Sequence, residues 1–68
     1  MAGGLGSKAA GPNDVYFEFT QIGAQMRVAA IDAKTGIEVI VIAPVTATQI
    51  QMQTIAIAKL KRRLESQN

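Results

Sequence analysis

From Asp14 onward apolar and polar residues alternate strictly, with Val15, Phe17 and Phe19 on one side and Tyr16, Glu18 and Thr20 on the other. A period of two is the mark of a strand with one buried face. Gly23-Ala24 follows. Glycine at the first central position of a two-residue turn suits type II′, so Ile22 is predicted to pair with Gln25 and a second strand to run to about Asp32. In Asp32-Ala33-Lys34-Thr35-Gly36 the carboxylate can accept from amides two or three residues on, and Gly36 can take the left-handed conformation that closes a four-residue loop. Ile37 to Ala43, rich in β-branched residues, is the third predicted strand, and Pro44 ends it.

The period then changes. Thr46-Ala47-Thr48-Gln49 fits a capping box opened by Thr46, with Thr48 as the alternative cap, and no Gly or Pro interrupts the chain from there to about Glu65. At 100° per residue Ile50, Gln53, Ile57, Leu60 and Leu64 share one stripe, expected to cover Phe17, Phe19, Met26, Val28, Val39 and Val41. The fold class is therefore α+β: a three-stranded antiparallel β-meander in order 1-2-3, followed by one C-terminal α-helix packed on one sheet face (βββα). It spans residues 14–66 as a single domain, behind a glycine-rich stretch, residues 1–13, read as a disordered tail. The face assignment depends on the second loop. A three-residue loop there would turn Ile40 and Ile42 inward, because one step of register inverts every side chain.

In the four-residue register the face away from the helix carries Tyr16, Ile22, Ala29, Ile31, Ile40 and Ile42 beside only three charges, Glu18, Arg27 and Glu38. A solvated sheet face is ordinarily polar, so this one reads as a protein interface. The third strand adds to the expectation, since it ends the meander as an edge and holds a single charge. Met52 and Ile55 lie well away from the helical core stripe and are expected to face outward. Tyr16, Ile31, Ile40, Ile42, Met52 and Ile55 are the candidate interface residues, and a homodimer or another protein partner is the occupant they suggest. The bland reading is a surface patch of ordinary size.

Composition narrows the chemistry. With no Cys and no His among 68 residues there is no disulfide, thiol nucleophile or ordinary zinc site, and the five acids are scattered, so no metal and no cofactor are expected. Serine and threonine hydroxyls have no histidine to activate them. The chain is read as no enzyme, with no small-molecule substrate. Residues 1–13 hold no apolar run of the kind a signal peptide needs, and no run elsewhere approaches the length of a membrane span, which points to a cytoplasmic protein without membrane contact. The formal charge is only +2, but Lys59, Lys61, Arg62 and Arg63 crowd the end of the helix. Such a cluster can neutralise phosphates, making a small nucleic-acid-binding accessory protein the alternative function. The plainer account is that cations complement the negative end of the helix dipole.

Taken together, Val15-Tyr16-Phe17-Glu18-Phe19, the hairpin Ala30-Ile31-Asp32-Ala33-Lys34-Thr35-Gly36-Ile37-Glu38-Val39, Ala43-Pro44 and the helix ending in Lys59-Leu60 resemble a family of short alphaproteobacterial proteins catalogued as a domain of unknown function. The resemblance covers about residues 14–65 and implies a bacterial cytoplasmic protein. It carries no catalytic or binding residues. The leading functional expectation is a non-enzymatic interaction module that self-associates through the open sheet face or the edge of the third strand.

Overall fold

The computed structural model describes residues 8–11 and 14–66. The predicted meander is present as three antiparallel strands, Val15–Ile22 (β2), Gln25–Asp32 (β3) and Glu38–Pro44 (β4), followed by one helix, Gln49–Glu65 (α1). A further short strand, Lys8–Gly11 (β1), precedes them and pairs antiparallel with the first half of β2, so the sheet has four strands in chain order. This corrects the expectation of a disordered tail over residues 1–13 where Lys8–Gly11 are concerned. Residues 1–7, 12 and 13 lie outside the described residues. The physical reason is that β2 offers its outer hydrogen-bonding groups to any extended segment beside it, and such pairing needs no apolar alternation.

Both hairpins take the predicted register. Ile22 faces Gln25, Phe19 faces Val28 and Phe17 faces Ala30, while Val28 faces Val41 and Ala30 faces Val39. Gly23 holds φ +60° and Ala24 is not in the positive-φ region, as a type II′ turn requires. In the second loop the Thr35 amide and hydroxyl both donate to Asp32 Oδ2, at 2.9 and 2.8 Å, and Gly36 closes the loop at φ +74°. Donation from the Thr35 hydroxyl, then from its amide, holds the Asp32 carboxyl below the usual carboxylate range; the nearby Lys34 charge works in the same direction, against a smaller opposing effect of burial. The Asp14 carbonyl accepts from the Ala33 amide at 3.0 Å, tying the start of β2 to this loop.

The helix differs from expectation in two respects. Its cap is the alternative, Thr48: the Gln51 amide donates to the Thr48 hydroxyl at 3.1 Å, and the Gln51 side chain accepts from the Thr48 amide at 2.9 Å. Thr46 and Thr48 each have Gln three residues on, so the sequence signals are equal. The turn that leaves β4 decides between them, because the Ala47 amide donates to the Pro44 carbonyl at 3.0 Å and so holds Thr46 within the turn. The buried stripe of α1 is Met52, Ala56 and Leu60, flanked by Ile57 and Leu64. Ile50, expected inside, is 76% exposed, and Met52, expected outside, is 6% exposed. The helix is rotated by somewhat less than a quarter turn from the stripe of large aliphatics. At the centre of the true stripe stands Ala56, whose small side chain lets the helix backbone come close to the sheet. Its partners across the core are Val15, Phe17, Phe19, Val28, Ala30, Val39, Val41 and Ala43.

Candidate functional site

The strand registers arrange the open face in rows. Tyr16, Ile31 and Glu38 form the first, Glu18, Ala29 and Ile40 the second, and Thr20, Arg27 and Ile42 the third. Tyr16 and Ile42 are exposed, and Ile31 and Ile40 are half-buried. Ala29, in the middle of the middle strand, is 0% exposed because larger neighbours enclose it. Four of the six candidate interface residues, Tyr16, Ile31, Ile40 and Ile42, therefore share this face. Met52 does not: it belongs to the core, and its place in a partner surface is withdrawn. Ile55 is exposed, at 53%, but on the flank of α1 next to β4.

That flank forms a second surface. A groove of about 400 Å³ runs between the end of β4 and the start of α1, lined by Ile42, Pro44, Ala47, Ile50, Thr54 and Ile55. It continues as a depression lined by Val41, Thr54, Ile55, Ala58, Lys59 and Arg62. The backbone alternation of β4 can be read from its ends. The Asp32 amide donates to the Ile37 carbonyl at 2.9 Å and the Val45 amide to the Ala24 carbonyl at 3.1 Å, so the odd positions of β4 bond to the interior of the sheet. The amides and carbonyls of Glu38, Ile40 and Ile42 then point out of the edge, as does the ring nitrogen of Pro44. One outward carbonyl is occupied: Lys59 Nζ donates to the Ile40 carbonyl at 2.7 Å. The edge, expected to hold a single charge, gains a second from this lysine, which reaches it from the neighbouring helix.

The four candidate phosphate ligands do not form one patch. Lys59, Arg62 and Arg63 share one side of the helix at i, i+3 and i+4, with the Lys59 ammonium donating to the sheet and Arg62 lining the same depression, whereas Lys61 lies on the other side. Arg62 and Arg63 fall in the last helical turn, where the dipole favours positive charge. Among the described residues no three His, Cys, Asp or Glu come together in a group able to hold a metal ion, and no helix is long and apolar enough to cross a membrane.

A family model described as Domain of unknown function (DUF6898) matches residues 12–67. The chain belongs to this family. No curated protein and no solved structure matches it. The DUF6898 match takes in β2, β3, β4 and α1 whole and leaves β1 outside. Both surfaces described above, the open face and the flank of β4, lie within the DUF6898 stretch. The open-face residues follow from the alternation and the turns, but Lys59 could not have been singled out by the hydrophobic pattern. Lys59 stands inside a run of cations, and only the position of α1 shows that it differs from them.

Proposed function

We propose that this DUF6898 domain is a non-enzymatic interaction module that self-associates through the open sheet face, as a cytoplasmic bacterial protein in line with its family resemblance. The observation that carries the reading is the largely apolar face opposite the helix, where Tyr16, Ile31, Ile40 and Ile42, with Glu18 and Arg27, surround a fully enclosed Ala29. The placement of Arg27 and Glu38 supports a second copy as the occupant. A two-fold axis crossing the strands at Ala29 sets Ile40 against Ile40 of the other copy, opposes Glu18 to Glu18, a repulsion the other contacts must outweigh, and brings the first row over the third. Arg27 then comes within reach of Glu38 and Tyr16 of the other copy, giving the dimer two ion pairs and two cation–ring contacts. Sheets pack face to face about 10 Å apart, a distance these side chains span.

The test is a charge exchange read by analytical ultracentrifugation. The wild-type chain is expected at twice 7.2 kDa at high micromolar concentration. Arg27→Glu and Glu38→Arg should each weaken the dimer, and the double exchange should restore it. A wild-type mass of one chain, or a double variant no tighter than the singles, would overturn the proposal.

A further inference from the structure

The flank of β4 adjoins the open face, sharing Ile42 with it, but calls for a different occupant. Here the sheet still has unpaired outward groups, the amide of Ile40 and both groups of Glu38 and Ile42 on the parity given above, beside a groove with an apolar floor. A second copy of β4 fits it poorly. A two-fold axis at Ile40 demands an amide from the other copy where Lys59 Nζ already sits, and brings the two Lys59 ammonium groups together. An axis at Ile42 sets Ile40 against Pro44 of the other copy, which has no N–H to give, and whose carbonyl already accepts from Ala47. Nor does β4 carry an acid on its helix side, where Val39, Val41 and Ala43 point.

We propose that the β4 edge is a strand-addition site for an extended, acidic segment of another protein, with Lys59 as its latch. An incoming strand would donate its own amide to the Ile40 carbonyl. A carboxylate on its helix-facing side would take up the released ammonium, with Arg62 lining the same depression as a second cation. The carbonyl and the lysine thus exchange partners, and neither is left unpaired. Apolar residues on the same side of the incoming strand would fill the groove between Ile42, Ile50 and Ile55.

The experiment uses the full chain and a short labelled peptide alternating valine and threonine with a central glutamate, compared with the same peptide carrying lysine there. Binding is read by fluorescence anisotropy and by amide shifts at Ile40 and Ile42. The glutamate peptide is expected to bind about tenfold more tightly, with an advantage that shrinks as salt is added. Lys59→Met, which keeps the apolar stem, should abolish that preference while the amide shifts persist. Equal affinity for the two peptides, absence of binding by both, or shifts confined to Tyr16, Thr20 and Ile31 with none at Ile40, Ile42 or the start of α1 would overturn the proposal. Sedimentation of the same samples without peptide reports on the dimer independently, so either reading can fail alone.

Discussion

The two faces of this sheet are built from the same strands, one residue out of step, and they have opposite fates. Odd positions of β2 and β4 and even positions of β3 pack under α1 around Phe17, Val28 and Leu60, the largest fully buried side chains. The alternate positions carry nearly as much aliphatic surface, yet α1 does not cover them. The comparison teaches that apolar content alone does not make a core: the face with the helix over it becomes one, and the other stays open.

Sequence neighbours Phe17 and Tyr16 give the sharpest way to break this contrast. Phe17→Ala should lower stability by about 3–5 kcal/mol, most of what so small a chain has, measured by urea unfolding followed by circular dichroism. Tyr16→Ala should leave monomer stability within about 1 kcal/mol and instead raise the dissociation constant of the dimer. On the helix the same logic separates Met52 from Ile50. Met52→Ala should cost about 2–4 kcal/mol, whereas Ile50→Ala, although it removes as large an aliphatic group, should change unfolding by no more than about 0.5 kcal/mol. Equal effects would mean that the helix is rotated back toward the stripe of large aliphatics.

The smallest expected effect concerns Asp32, which pins the loop between β3 and β4. Its folded carboxyl titrates below its unfolded value, so the stabilisation is fully present above the ordinary aspartate range, about pH 3.9, and is lost as pH falls through the lower folded value. Melting temperature should therefore decline in acid more steeply for the wild type than for Asp32→Asn, which has no proton to gain. Parallel curves for the two proteins would show that the Thr35 contacts contribute nothing to this dependence.

Much of the architecture was legible because its determinants are local. Gly23, Gly36 and Asp32 set the turns, and the turns set every cross-strand pair of β2, β3 and β4. The strand β1 was not legible: Lys8-Ala9-Ala10-Gly11 has no alternation and no β-branched residue, and owes its conformation to the neighbour it lies beside. The helix face was misjudged for a related reason, since large aliphatics dominate a periodicity argument and a small residue such as Ala56 counts little in it. Packing reverses that weighting, because close approach of helix and sheet favours the small residue at the centre. The open face of the candidate site followed from the turns. Its edge did not, since the Lys59 contact joins residues 19 positions apart.

Strand order in the sheet repeats strand order in the chain, with no crossover. Each hairpin can close through local contacts alone, and only the 17-residue helix has to find a surface already assembled. Such nearest-neighbour wiring belongs to chains that reach their native state quickly, with little time spent displaying unpaired apolar ribbon to other nascent proteins.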